Sequence, residues 1–381
     1  MKDHYEQGPI RPPSEATSLL IRVTRNCPWN KCAFCHTYLG TKFELRSVDE
    51  VKKDLQAMKD IADGVVDVSW KLGEGGRISK NVLRYMYNRQ DLRNDYVYSV
   101  AAWLYYGGEN VFLQDANSLI LKTADLVSIL DFLKEKFPNV KRITSYCRSH
   151  TAARKTVAEF EQLKNAGLSR IHIGMESGCD DVLALINKGV TAGDHMKAGL
   201  NIRKAGIELS EYVMPGLGGT KYTRQHALDT AKVINAINPD FIRLRTLHVV
   251  PGTHLDELMK KGEFHPLKDD DVLKEIKLFI ENLDVQGTYL ASDHILNLLE
   301  ELEGGFPEDK QKILSTIEQY FQLSPDEQLI FRIGRRSGAY RKLVDLSDTE
   351  MYSKLKSTVN HYAAQGLNIE EEIIKTMNNF I

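Results

Sequence analysis

The chain has 381 residues with 50 Lys and Arg against 52 Asp and Glu, a formal charge of −2, so its net balance advertises neither a nucleic-acid nor a membrane partner. A 42% hydrophobic content is enough for one large α/β domain with an appendage, or for two domains. The five cysteines are an odd number and three crowd into one loop, which excludes a disulfide framework and fits the reducing cytoplasm. The polar start, Met1 to Pro13, is no signal peptide, and no apolar run approaches the ~20 residues of a membrane span.

Residues 1–17 read as an irregular lead-in, because Pro9, Pro12 and Pro13 block regular structure. An apolar strand at 18–23 then delivers Cys27-Pro-Trp-Asn-Lys-Cys32-Ala-Phe-Cys35, three thiols in the spacing C-x4-C-x2-C. Three soft donors on one loop form a metal cradle for zinc or an iron–sulfur cluster. Zinc needs a fourth ligand; His36 is adjacent, but no second C-x2-C pair exists. A two-iron ferredoxin cluster needs a nearby fourth cysteine, and the next is Cys147. A four-iron cluster on three cysteines keeps one iron open to a second molecule, which makes the loop a catalytic site. From spacing alone, zinc and other clusters stay open.

Ser47-Val-Asp-Glu50 is a capping box opening a helix to about Ile61, with Val51, Leu55, Met58 and Ile61 on one face. Residues 64–108 break the strand–helix rhythm; Gly73-Glu-Gly-Gly76 reads as a loop, followed by helices in an insertion. A strand at 110–113 ends in Gln114-Asp115-Ala-Asn117. A helix at 123–137 leads to a strand at 140–146 ending in Cys147-Arg148-Ser149, and a helix at 152–166 to a strand at 170–175 ending in Glu176-Ser177-Gly178. A helix capped at Thr191 by Asp194 precedes a strand at 208–213, which Glu211 interrupts, and then Met214-Pro-Gly216-Leu-Gly218-Gly219. The strand at 240–247 places Arg243 and Arg245 on one face, where anions or an acidic partner, Glu176 or Glu211, must meet them. Strands alternating with amphipathic helices make a parallel sheet whose ligands gather at the strands' C-terminal ends.

Beyond Leu255 the pattern turns helical, at 267–283, at 296–302 and after Ser324-Pro-Asp-Glu327. Ser292-Asp293-His294 and the basic run Phe331-Arg-Ile-Gly-Arg335-Arg336 stand out as groups that could reach a substrate; capping and a solvated surface are the plainer readings. Cys147 and Cys179 read as small buried thiols.

The cysteine loop, with aromatic Phe34 before its last cysteine, resembles the cluster loop of radical S-adenosylmethionine (SAM) enzymes, with one residue more than the common C-x3-C-x2-C. Ile173-Gly-Met-Glu176-Ser-Gly178 resembles the strand-four motif of the oxygen-independent coproporphyrinogen oxidase and elongator catalytic subunit group. The 214–219 segment is similar to the one that packs on the adenine in that family, and Val250-Pro-Gly-Thr253 to its turn after strand six. The resemblance covers about 18–255. It implies an α/β fold, a partial (βα)6 radical SAM barrel over 18–255 with an insertion at 64–108, under a mainly helical C-terminal region at 256–381.

It further implies that Cys27, Cys32 and Cys35 ligate a [4Fe–4S] cluster and that SAM chelates the remaining iron. Phe34, Gln114, Asp115, Arg148, Glu176, Ser177, Gly216 and Gly218 would contact SAM, with Gln114 and Asp115 at its amino group and Arg148 at its carboxylate. Glu211, Arg243, Arg245, Asp293, His294, Arg335 and Arg336 are the substrate candidates. The resemblance implies reductive SAM cleavage, hydrogen abstraction from a substrate, anaerobic oxidoreductase or transferase chemistry, and an electron donor such as flavodoxin or ferredoxin. No second cysteine cluster, cobalamin domain or acetyltransferase-like end names a subgroup reaction. The rival is a non-catalytic iron–sulfur electron carrier or zinc-binding module, which would bind no SAM.

Overall fold

The computed structural model describes residues 4–89 and 94–377; positions 1–3, 90–93 and 378–381 of the expected lead-in, insertion and C-terminal region lie outside the described residues. Strands β1 (Leu19–Arg22), β2 (Thr24–Arg25) and β3 (Glu44–Leu45) precede helices α1 (Val48–Lys71), α2 (Lys80–Asn88) and α3 (Asp95–Tyr105). Strands and helices then alternate: β4 (Asn110–Gln114), α4 (Thr123–Lys136), β5 (Arg142–Cys147), α5 (Ser149–Ala152), α6 (Val157–Asn165), β6 (Leu168–Glu176), α7 (Asp180–Leu185), α8 (Ala192–Lys204), β7 (Glu208–Val213), α9 (Gly219–Ile237) and β8 (Phe241–Leu244). After α10 (His254–Lys260) and α11 (Asp269–Glu281) come β9 (Thr288–Ala291), β10 (Gly304–Phe306), α12 (Lys310–Gln322), α13 (Pro325–Arg336), α14 (Thr349–Ala364) and α15 (Ile369–Met377). This is an α/β chain with a mainly helical C-terminal region. None of the described helices is long and apolar enough to cross a membrane.

The chain forms two compact units. The first comprises residues up to Asn30, Thr37–Ile173 and Lys197–Leu209; the second comprises Lys31–His36, Gly174–Met196 and the chain from Ser210 onward. In the first unit β1, β4, β5 and the start of β6 run parallel in that order, with Leu19 beside Val111, Val111 beside Ile143 and Ser145 beside Ile171. Leu19, Ile21, Val111 and Leu113 are fully buried, as are Val51, Leu55 and Met58 of α1, which packs on β1, α3 and α4. Each such aliphatic side chain contributes about 1.5–3 kcal/mol.

Helix α1 starts at the expected capping box, where Ser47 Oγ accepts the Glu50 N–H and the Glu50 carboxylate accepts the Ser47 N–H. Its expected end at Ile61 is wrong. The helix continues through Gly64 to Lys71, because Val65 and Ser69 prolong the buried stripe, and burying Val65 outweighs the ~1 kcal/mol that a mid-helix glycine costs. The expected insertion at 64–108 therefore opens inside a helix.

In the second unit β7, β8 and β9 are parallel and β10 closes antiparallel on β9. The end of β6 joins this unit, where the Met214 N–H donates to the Glu176 carbonyl at 2.9 Å. Two expectations fail here. Strand β8 stops at Leu244 rather than Leu247, and 296–302 is not a helix. Leu296, Leu298, Leu299 and Leu302 are buried as the pattern requires, but side chains rather than helical amides take the carbonyls: Ser292 Oγ donates to Leu299 O, Arg336 to Leu296 O and Arg335 to Asn297 O.

Candidate cluster and cofactor site

The first-unit half of the cysteine loop hangs on one carboxylate. Asp115, with no exposed surface, sits just past β4. It receives Arg22 Nε at 2.8 Å and Nη2 at 2.7 Å, the Asn26 backbone N–H at 2.9 Å and the Tyr38 hydroxyl at 3.2 Å. Asn26 immediately precedes Cys27 and Tyr38 follows the loop, so a single buried anion grips both flanks through charge-assisted hydrogen bonds. Burial, then the Asp115 charge, push the Tyr38 phenol well above its ordinary range. Within the loop the Asn30 side chain donates to the Tyr38 carbonyl at 2.6 Å, and its backbone N–H meets Cys27 Sγ at 3.4 Å.

Gln114 Oε1 accepts the Gly8 N–H at 2.9 Å and its Nε2 donates to the Gly8 and Ile10 carbonyls, tying down the lead-in. Both polar side chains, at the end of β4 and just past it, thus hold chain segments. Half-buried Arg148 lies at 5.1 Å over the Trp29 ring, which belongs to the cysteine loop.

The second unit holds the rest of the loop. The Ala33 N–H donates to the Ile186 carbonyl and the Ala33 carbonyl accepts the Leu255 N–H, both at 2.8 Å, while Ala33 packs with Val182, Ile186, Leu217 and Leu255. Phe34 is half-buried beneath Lys188, whose Nζ is 5.8 Å from the ring centroid and donates to Glu176 Oε1 at 3.1 Å. Glu176 sits in the left-handed region, φ 65°, and its buried Oε2 has no hydrogen-bond partner. Glu211 is fully buried, and neither of its carboxyl oxygens has a hydrogen-bond partner among the described residues. Burial first, then the nearby Glu176 charge, raise its pKa well above the carboxylate range; Lys188 opposes the shift.

Ser177 Oγ bonds to His226 Nδ1 at 2.8 Å. Gly216 adopts φ 85° and donates its N–H to Glu275 Oε1 at 2.7 Å, a conformation that favours glycine. Gly218 caps α9 so closely that a Cβ would lie 3.0 Å from the Tyr222 backbone.

Of the remaining expected substrate groups, Arg243, Asp293, Arg335 and Arg336 form ion pairs within the second unit. Arg243 pairs with Asp293 at 2.9 Å, not with Glu176 or Glu211, and Arg245 lies past the end of β8, exposed to solvent. His294 is pushed down to about 3, by burial first and then by Arg245 and Arg335. Arg335 is buried, donating to the Asn297 carbonyl at 3.0 Å and facing Glu300 at 3.3 Å. Arg336 is buried against Asp269 at 2.5 Å, which also receives Arg332. The basic run is buried, not a solvated surface. Desolvation would raise the Asp269 pKa, but the two guanidinium charges outweigh it and hold the carboxyl below its usual range.

Sequence reasoning missed Lys188, His226 and Glu275. Lys188 had a signal, a lysine in the turn Asn187-Lys-Gly189, whose flanking residues have φ 50° and 72°. Glu275 had another, an acid among the buried Val272, Leu273, Ile276 and Phe279 of α11. His226 sits in the same way among the buried Ala227, Thr230, Ala231 and Ile234 of α9.

Cys27, Cys32 and Cys35 are half-buried and in no disulfide, and three soft sulfurs suit an iron–sulfur cluster. Among the described residues no three His, Cys, Asp or Glu side chains are gathered as a metal-binding group, so the fit is one of donor chemistry. The family model of the Radical SAM superfamily matches residues 83–234. A tRNA uridine(34) acetyltransferase of Methanocaldococcus infernus is 27% identical over 119 residues, 31% of this chain and 22% of that protein. An uncharacterized protein of Methanocaldococcus jannaschii is 29% identical over 113 residues, 30% of this chain and 34% of its own. The chain therefore spans about a fifth to a third of these relatives' lengths. The solved structure of Methanocaldococcus infernus Elp3 with an N-terminal deletion gives a TM-score of 0.41 at 17% identity, covering 56% of this chain and 55% of that one. Residues 83–234 thus match the Radical SAM superfamily, whose members work with a [4Fe–4S] cluster and SAM, and the α/β chain is similar over 31% of its length to a tRNA uridine(34) acetyltransferase.

Proposed function

We propose that Cys27, Cys32 and Cys35 hold a [4Fe–4S] cluster that supplies one electron for the cleavage of SAM to a 5′-deoxyadenosyl radical, which abstracts hydrogen from a substrate. The observation that carries this reading is that the cysteine loop is fixed by partners other than its cysteines. Asp115 holds Asn26 and Tyr38 in one unit, and the Ile186 and Leu255 backbone holds Ala33 in the other. A loop anchored in this way does not need its thiols to keep its shape.

In the first unit, Arg148 offers a guanidinium whose fork matches the SAM carboxylate. Glu176, with one carboxyl oxygen unpartnered, and Lys188 offer the polar contacts near Phe34. The 214–218 backbone offers a surface for the flat adenine. The protein's task is to hold the target carbon near the radical carbon and to exclude water. The barrel would occupy 18–255 with the insertion at 64–108, the helical region 256–381, and a small electron-transfer protein such as flavodoxin or ferredoxin would reduce the cluster.

The test is anaerobic reconstitution with iron and sulfide, followed by dithionite and SAM, with 5′-deoxyadenosine measured by chromatography. Product is expected, and Cys32→Ala should lose iron and product together. A Cys32→Ala protein with a full four-iron complement removes that ligand. A chain that takes up only zinc and binds no SAM supports the metal-binding module instead.

A further inference from the structure

The turns that end β6 and β7 are joined, inside the second unit, by a buried hydrogen-bond chain that the reading above leaves unused. Its centre is His226 on α9. Nε2 faces the Met214 carbonyl at 3.1 Å, and a carbonyl can only accept, so Nε2 carries the proton. Nδ1 then accepts the Ser177 hydroxyl at 2.8 Å, and Ser177 Oγ accepts the Cys179 N–H at 3.0 Å. The proton on Nε2 serves the Met214 carbonyl and leaves Nδ1 to the Ser177 hydroxyl. Thr230, one turn further along α9, accepts the Gly178 N–H at 2.9 Å.

Helix α11 supplies the second anchor. Glu275 Oε1 accepts the Gly216 N–H at 2.7 Å and lies 3.7 Å from His226 Nε2, and Oε2 accepts the Thr223 hydroxyl at 2.6 Å. Ser177, His226, Thr230 and Glu275 are at most 4% exposed. A buried carboxylate is expensive to desolvate, and an aliphatic side chain would fill this apolar stripe at lower cost. What the carboxylate supplies instead is an acceptor for an amide in a left-handed turn.

We propose that His226 and Glu275 are positioning residues for SAM, fixing the 214–216 backbone relative to the 176–178 turn in the arrangement that receives the cofactor. The inference rests on the reading of these two turns as SAM-facing. Neither side chain needs to touch SAM; both act through the backbone they hold.

The experiment is equilibrium dialysis of SAM against the full chain, anaerobically reconstituted and without reductant, alongside iron content and amide hydrogen exchange. Glu275→Ala and His226→Ala should raise the SAM dissociation constant about tenfold at unchanged iron content. Glu275→Gln keeps an acceptor for Gly216 and should stay within about twofold. In Glu275→Ala the Gly216 amide should exchange faster while the amides of α1 do not. Thr223→Val, nearly isosteric, removes one bond to Glu275 and should weaken SAM about threefold, so the idea stays testable if the alanine variants fold poorly. Folded variants that hold four irons and bind SAM like the unaltered chain overturn the proposal. If the unaltered chain holds its cluster and binds no SAM, the functional reading itself falls, and this inference with it.

Discussion

Asp115 and Glu211 are both carboxylic acids without exposed surface, one in each unit, and their surroundings are opposite. Asp115 is met by a guanidinium, a backbone amide and a phenol; Glu211 is met by no hydrogen-bond donor among the described residues. Burial alone therefore says little about an acid. A partnered one is a brace, while burial pushes the pKa of an unpartnered one up and makes it a burden on stability as the pH rises.

The largest expected effect tests the brace. Asp115→Ala strands Arg22, the Asn26 amide and the Tyr38 hydroxyl, and should lower stability by about 3–5 kcal/mol in urea unfolding. Iron uptake should fall with it. An unchanged midpoint would put Asp115 in the same class as Glu211. Asp269→Ala offers a matched control in the second unit, leaving Arg336 and Arg332 without a shared anion; a loss of about 3 kcal/mol is expected by the same assay.

Glu211→Gln should act in the other direction. The folded pKa is raised above the unfolded value of about 4.3, so below that pH both states are protonated and the acid has no effect. As pH rises past it, only the unfolded chain ionises, and stability falls. The variant should therefore match the parent near pH 4 and exceed it by about 1–2 kcal/mol at pH 8. A parent-like curve at both pH values would show that Glu211 gains partners in solution.

His294 gives the smallest and mirror-image effect. Its pKa is depressed to about 3, so the unfolded state alone takes up a proton as pH falls below about 6.5, and stability declines toward acid. His294→Asn should remove about 1 kcal/mol of that decline at pH 5.5, measured as the difference between melting curves at pH 7.5 and 5.5.

Much of the frame was legible because its signals are local. Alternating strands and helices from Asn110 to Leu244, the capping boxes at Ser47 and Ser324 and the cysteine loop each declare themselves within a few residues. What the sequence hid was the choice of long-range partner. Arg335 and Arg336 form a charge run that looks like surface until α13 turns them inward onto Glu300 and Asp269. Gln114 and Asp115 have the composition of a ligand turn, and only the fold brings Gly8, Arg22 and Tyr38 to them. The end of β8 was misread because Arg243 and Arg245 alternate like strand residues, although Thr246 gives its N–H to the Asn297 side chain at 2.9 Å. Glu275 and His226 lay on apolar helix stripes, where a lone polar residue deserved a question about its backbone partner.

The irregular stretch 292–303 has one more consequence. Leucine-rich, without helix or strand, it looks like the place a protease would nick first. Yet Leu296, Asn297, Leu298, Leu299 and Leu302 are buried, and Arg335 and Arg336 hold its carbonyls from α13. A protease must draw the chain out into an extended form, and here that means releasing two guanidinium groups from the protein interior. Native digestion should therefore spare this stretch. Arg336→Lys, which keeps the charge but loses the planar fork that spans Leu296 O and Asp269, should turn it into the first site cut.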